Sequence, residues 1–147
     1  MKAIPLTDRL SVSGQLEAAD FPALAAAGVR RVINNRPDGE APGQLTAAAA
    51  AGHAAACGLE YIHIPVAFPA VRAEDVDAFR DAVLSADGPV HAHCRSGTRS
   101  ANLWFIGEVL AGDMTRAEVG AAGARSGIGV TDALSWLDRH AAAPDAR

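Results

Sequence analysis

Cysteine is scarce in this chain, with only Cys57 and Cys94 among 147 residues. Two cysteines do not make a disulfide framework, so a reducing compartment, the cytoplasm, is the expected location. Long apolar runs are missing too: none approaches the ~18 residues that a membrane helix requires. The opening stretch MKAIPLTDRL has neither an extended apolar region nor a small-residue cleavage site, so no signal peptide is expected. There is no basic excess: the net charge of −4 argues against nucleic acid as a partner. Lysine is nearly absent beside abundant alanine and arginine, a bias attributed to base composition rather than function. What is present is an apolar half, enough for one domain to bury about two thirds of the surface its unfolded chain exposes.

No repeat, linker or second domain is discernible, and residues 1–147 are read as a single domain. The sequence predicts a first strand over 10–16 (LSVSGQL) and a helix over FPALAAA, capped by Asp20 and ended by Gly28. A β-branched strand at 29–35 (VRRVINN) runs into the turn-rich RPDGEAPG. Alanine propensity predicts a helix over 44–57, with Gly52 its weak point. LEYIHIPV at 59–66 is the clearest strand. The helix predicted over 73–86 puts Val76, Phe79 and Val83 on one face with Leu84 beside them, and Gly88-Pro89 stops it. PVHAHC at 89–94 is a short strand. A helix from Arg99 to Gly112 follows, with Leu103, Ile106, Val109 and Leu110 at helical spacing. Two more helices cover 115–126 and 131–141, the last capped by Thr131. Alternating strands and helices predict an α/β domain: a central, mostly parallel sheet of about four or five strands flanked by helices, closed by a C-terminal helical segment.

The stretch HAHCRSGTRS at 91–100 carries the chemistry. Cys94 ends a strand and Arg99 begins a helix, so the loop between them lies where ligands bind in open α/β sheets, at the carboxyl ends of the strands. Gly97 lets successive amides converge on one point. The following helix adds free N–H groups and a partial positive charge, and Arg95 and Arg99 add full charges. All of these favour a thiolate, the reactive form of cysteine, and the same donors would hold an anionic substrate in front of it. Two bland readings stand beside this one. Free cysteines are often small buried hydrophobes, and Arg95 can equally be a solvated surface charge. His93 before the cysteine, with Gly97 and Arg99 after it, favours the nucleophile.

HCRSGTRS resembles two known loops. Cysteine phosphatases, including the dual-specificity group, use His-Cys-x5-Arg followed by Ser or Thr, whereas rhodanese-type sulfurtransferases use Cys-x4-Arg. Here the spacing is Cys-x4-Arg, and Ser100 takes the phosphatase arginine position. With SVSGQL near the start, VINNRPDGE at 32–40, YIHIPV at 61–66 and HCRSGTRSANLW, the chain resembles the phosphatase-like domain of beta-lactamase-hydrolase-like proteins over roughly residues 4–110. That resemblance implies a dual-specificity-phosphatase-like fold. Some members of the family are described as phosphatase-like and others as sulfur transferases, and the domain occurs fused to sulfide-oxidising enzymes such as persulfide dioxygenases. Asn35 departs from the pattern, since an apolar residue is expected before Arg-Pro-Asp.

Two features tip the expectation toward sulfur. A loop one residue shorter withdraws up to ~3.5 Å of chain, which suits a single terminal sulfur better than three phosphoryl oxygens. After IPV stand Ala67, Phe68, Pro69 and Ala70, where phosphatases of this fold carry an acidic proton donor. The next acids, Glu74 and Asp75, read as first-turn charges on a helix dipole. The expected function is therefore sulfur transfer through a Cys94 persulfide, from thiosulfate or a persulfide to a thiol such as glutathione. A sulfide-oxidising enzyme is a possible partner, and no cofactor is expected. Arg99 would bind the donor's anionic group and Arg95 steer it. Gly97 would shape the loop, and Ser96, Thr98 and Ser100 would supply hydroxyls and amides. Phosphomonoester hydrolysis through a Cys94 phosphocysteine is the alternative, and a non-catalytic anion- or persulfide-sensing module the second.

Other candidates were weighed against plainer roles. His91 and His93 share a strand face, but a zinc site needs three or four ligands, so no metal is expected. His93 is instead expected to hydrogen-bond the loop backbone, as the family's His-Cys pair implies, and His91 to lie near the sheet's edge. His63 reads as a satisfied core histidine. His53 and Cys57, four apart on a helix, read as packing, with a resolving-thiol role for Cys57 the lesser alternative. Arg36 and Asp38, in the loop at the same sheet end as Cys94, are as well explained by a pocket wall as by a structural ion pair. Trp104, Phe105 and Trp136 are expected in the core. GARSGIG at 123–129 has no strand before it, so nucleotide binding is rejected.

Overall fold

The computed structural model describes residues 1–140. In chain order the elements are β1 (Ile4–Pro5), β2 (Leu10–Ser13), α1 (Asp20–Ala26), β3 (Arg31–Asn34), α2 (Ala47–Ala56), β4 (Glu60–His63), α3 (Ala73–Leu84), β5 (Val90–His93), α4 (Thr98–Leu110), α5 (Arg116–Ser126) and α6 (Thr131–His140). The five strands form one sheet in the order β1-β2-β5-β3-β4. Only β1 runs antiparallel, pairing Ile4 with Val12 and Pro5 with Ser11. The other pairings are parallel and in step, with Val90 of β5 beside Leu10 on one side and Arg31 on the other. This is the predicted α/β architecture, with β1 as the addition. A two-residue strand containing proline leaves no alternation to read.

The strand pleat sends alternate residues to opposite faces. Leu10, Val12, Ile33, Val90 and Ala92 enter the large core with α3, α4, α5 and α6. Val32 faces the other way, into a smaller core with Leu16, Phe21, Leu24, Ala50, Ala54 and Leu59. Between the sheet and that smaller core lies a polar layer. His91 sits between two serines, its Nδ1 2.7 Å from Ser11 Oγ and its Nε2 2.7 Å from Ser13 Oγ. His91 and His93 are both buried, on the middle strand of five. The expected place near the sheet's edge is thus corrected: strand order depends on crossovers that a single sequence does not display.

Helix starts follow local hydrogen bonding. Thr46 accepts from the Ala49 amide at 3.1 Å to open the alanine helix α2. Thr115 and Glu118 exchange bonds of 3.1 and 2.8 Å at the start of α5. Asp75 accepts from the Arg72 amide at 2.9 Å, a capping role for this first-turn acid. Asp20 is the first helical residue of α1 rather than its cap, and its carboxylate instead accepts from the Glu17 amide in the preceding turn. Leu84, expected on the buried face of α3, is 51% exposed because it falls on the polar face of the helix with Asp77, Arg80 and Asp81. Trp104, Phe105 and Trp136 are buried as expected. Residue 141, assigned by the sequence to the last helix, lies outside the described residues. Among the described residues no helix is long and apolar enough to cross a membrane.

Candidate active site

Cys94 follows directly on β5 and is 1% exposed. Its amide donates to Ser13 O at 3.3 Å, so the root of the loop is bonded to the end of β2. The chain then folds back until the Gly97 amide donates to Cys94 Sγ at 3.0 Å. Gly97 has φ +96° and lies against Ser13, where a Cβ would meet backbone atoms at 3.3 Å. Gly14 seals the other side, because a Cβ there would come within 2.8 Å of Arg95 O. Two glycines from distant segments therefore allow the loop to nest against SVSGQL. α4 begins at Thr98, so the Thr98, Arg99 and Ser100 amides have no intrahelical partner, and Ala101 makes the first helical bond to Gly97 O at 3.1 Å.

Above the sulfur opens a cavity of ≈ 240 Å³ lined by Ala67, Phe68, Cys94, Arg95, Ser96, Thr98, Arg99 and Asp132. A larger groove of ≈ 380 Å³ between β1 and α5 shares none of these residues. Arg99 forks onto Glu40, with Nη1 3.0 Å from one carboxylate oxygen and Nη2 3.2 Å from the other. Nη1 also donates to Val66 O at 2.9 Å. Glu40 in turn accepts from Arg36 Nε at 3.0 Å, and Arg36 Nη1 donates to Gln15 Oε1 at 2.9 Å. Partial burial alone would raise the Glu40 carboxyl. Hydrogen bonds from Arg99 and Arg36, with their charges, outweigh it and hold the group below the usual carboxylate range.

These bonds correct several expectations. Arg36 is 4% exposed and belongs to the ion pair beneath the site, with Glu40 rather than Asp38 as its partner. Asp38 is exposed and accepts from the Ala47 amide at 2.8 Å, holding the start of α2, and among the described residues it neither lines the Cys94 cavity nor pairs with Arg36. The Ser100 hydroxyl is buried and donates to Asn35 Oδ1 at 2.7 Å, which takes it away from the cavity. Asn35, where an apolar residue was expected, also donates its Nδ2 to Ile64 O at 2.9 Å and its amide to His93 O at 2.8 Å. It ties the ends of β3, β4 and β5 to α4, and an apolar side chain would leave the Ser100 hydroxyl and Ile64 O without these partners.

His93 reaches the loop backbone only through a long contact, Nδ1 to Cys94 O at 3.5 Å, while its buried Nε2 has no partner. Burial pushes the imidazoles of His91 and His93 down to about 4, and neighbouring positive charge adds to the effect. His63 bonds Arg36 O at 2.9 Å and is half-buried rather than in the core. Cys57 ends α2 just before β4 begins, at the opposite end of the parallel strands from Cys94. Strands of four residues separate the two thiols by on the order of 13 Å, well past disulfide reach. The resolving-thiol role is thereby removed.

Cys94, Arg95, Ser96, Thr98 and Arg99 thus share one cavity, while Gly97 lies outside its lining and donates its amide to the sulfur. Sequence reasoning missed Glu40, Gln15, Gly14 and Asp132. The first three lie inside SVSGQL and VINNRPDGE, stretches that stood out as motifs without any role for these residues. Asp132 lies two helices beyond the loop and carried no signal at all.

Comparison with known proteins agrees with this architecture. Residues 4–111 match the family described as beta-lactamase hydrolase-like protein, phosphatase-like domain. The beta-lactamase hydrolase-like protein of Agrobacterium fabrum is 41% identical over 97% of this chain, and that of Xylella fastidiosa Temecula1 is 39% identical over 96%. In both cases the match covers 33% of the relative, so the chain spans about a third of their length. A crystal structure from Neisseria meningitidis, described as that of a candidate phosphatase, superposes with a TM-score of 0.82 at 31% identity, covering 92% of this chain and 96% of that one. PTPMT1 shares the fold with a TM-score of 0.77 at 16% identity, covering 94% and 92%. From the Cys94 loop to the whole sheet, this chain belongs to the phosphatase-like domain family of the beta-lactamase hydrolase-like proteins.

Proposed function

We propose that the domain hydrolyses phosphomonoesters through a phosphocysteine at Cys94. The observation that carries this reading is the Gly97 amide donating to Cys94 Sγ at 3.0 Å, on the floor of a cavity that Arg99 also lines. The thiolate attacks phosphorus, an S–P bond forms, the ester P–O bond breaks, and the oxygen departs with a proton. Water then cleaves the S–P bond and releases inorganic phosphate. The free amides at the start of α4 and the Arg99 guanidinium face charge that grows on the phosphoryl oxygens, the kind of preorganised stabilisation worth several kcal/mol. Membership of a phosphatase-like family supports the phosphoryl reading over the sulfur-transfer expectation.

One observation favours sulfur transfer as a second reading: the Cys-x4-Arg loop is one residue shorter than the phosphatase motif. In that case the thiolate takes the outer sulfur of thiosulfate or a persulfide, sulfite or a thiolate leaves, and glutathione removes the sulfur from the Cys94 persulfide. One preparation decides between them. Aryl phosphate hydrolysis should exceed thiosulfate-to-glutathione transfer, disappear in Cys94→Ser, and fall about 10²-fold in Arg99→Lys. Sulfur transfer outrunning hydrolysis, with the same dependence on Cys94, would reverse the assignment. Anion binding without turnover of either kind would identify a sensor.

A further inference from the structure

We propose that Asp132 is the catalytic residue that protonates the leaving oxygen, a role that rests on the phosphatase reading. Among the described residues, Asp132 is the one carboxylate lining the Cys94 cavity; the others offer apolar, hydroxyl, thiol or guanidinium groups. Glu40, the other acid nearby, has both oxygens taken by arginines and is held ionised, so it has no proton to give. The wall after β4 contributes Ala67 and Phe68, which cannot donate.

A catalytic acid must also be fixed relative to the sulfur, and one buried side chain does this. Asn102, fully buried one turn into α4, donates its Nδ2 to Thr98 O at 2.7 Å and to Gly129 O at 2.9 Å. Its Oδ1 accepts from the Ala133 amide at 2.9 Å, immediately after Asp132. The residue that opens α4, the turn before α6 and the first turn of α6 are thus fastened to a single amide group. Trp136 adds a second anchor, donating Nε1 to Val71 O at 2.8 Å. Asp132 itself is exposed, so water reaches its carboxyl group. As Cys94 Sγ bonds to phosphorus, the proton passes from the Asp132 carboxyl to the departing oxygen. In the second step the carboxylate takes a proton from the attacking water, and the cycle closes without a further reactant.

A plainer account makes Asp132 a first-turn acid on the dipole of α6. The two differ in how the effect depends on the leaving group. Hydrolysis of phenyl phosphate, whose leaving oxygen needs a proton, should fall about 10²–10⁴-fold in Asp132→Asn. First-turnover release of 2,4-dinitrophenolate from 2,4-dinitrophenyl phosphate, which precedes the water step and whose phenolate leaves unaided, should change less than about threefold, which also shows that the variant is folded. Asp132→Glu should recover part of the phenyl phosphate rate. Equal losses on both substrates, or no loss on either, would overturn the role of Asp132 and leave Cys94 hydrolysis standing. A wild-type chain that hydrolyses neither ester would overturn the phosphatase reading, and Asp132 with it.

Discussion

The two faces of the sheet are held by different physics. On one face Leu10, Val12, Ile33, Val90 and Ala92 meet four helices in an apolar core. On the other, Ser11, Ser13, His91 and His93 form a polar layer, joined by Asn34, which donates to the Tyr61 hydroxyl at 2.9 Å. Apolar burial is strong but non-directional, so it supplies stability without fixing angles. Hydrogen bonds contribute less each, about 1 kcal/mol net, but they fix direction. The polar layer runs to the carboxyl ends of the strands, where Arg36, Gln15 and Glu40 continue it to Arg99. The polar side fixes the direction in which the Cys94 loop and Arg99 are held.

The largest expected effect falls on the apolar face. Phe79, fully buried on α3, should cost about 3–5 kcal/mol when truncated in Phe79→Ala, measured by urea unfolding. That cost should be nearly the same at pH 7 and pH 5, because no titrating group is involved. The polar layer should behave oppositely. His91 and His93 have folded pKa values of about 4, below the unfolded value of about 6.5. Between those values the unfolded chain binds more protons, so stability is complete above about pH 6.5 and is lost as pH falls toward 4. From pH 7 to 5 each histidine should remove about 2 kcal/mol, lowering Tm by roughly 10 °C for the pair. His91→Gln should halve that decrement, whatever it does to stability at pH 7. A Tm that hardly moves with pH would mean that the imidazoles are not held neutral.

The same division explains what was legible in the sequence. Local patterning located α3, α4 and strands β2 to β5 to within a few residues, and the HCRSGTRS spacing placed Cys94, Arg95, Ser96, Thr98 and Arg99 around one cavity. Those signals are local, carried by residues a turn or a strand apart. What was missed depends on long-range directional bonds: Glu40 with Arg99, Asn35 with Ser100, and Asn102 with Ala133. Asp38 was singled out for its charge beside Arg36, yet a helix start three residues after Gln44 claims it. Asn35 looked like a misfit because its partners, Ile64 and Ser100, come from other elements.

Asn35 therefore offers a smaller, sharper break. Asn35→Leu keeps the branched shape but removes the partners of the Ser100 hydroxyl and Ile64 O, so a loss of about 1–3 kcal/mol is expected. Hydrolysis should fall further than unfolding alone explains, because the strand ends beneath Cys94 lose their tie to α4. Activity retained in proportion to the folded fraction would show that the tie is merely structural.

The smallest effect on stability should come from Glu40→Gln. The Glu40–Arg99 pair is partly exposed, with a quarter of the Glu40 side chain open to solvent, and such pairs are worth roughly 0–1 kcal/mol. Glutamine keeps the length and one acceptor oxygen but gives up the charge and the two-pronged grip on the guanidinium. Arg99 would still carry its charge beside the cavity, so substrate attraction should persist while its aim at the phosphoryl oxygens loosens. The expected signature is a kcat lower by about tenfold, about 1.4 kcal/mol in the barrier, with KM changed less than threefold. A KM effect with kcat intact would instead make Glu40 a determinant of substrate charge at the cavity mouth. Unchanged kinetics would uncouple the polar layer from catalysis and show that the Val66 and Asn35 carbonyls hold Arg99 well enough without the Glu40 charge.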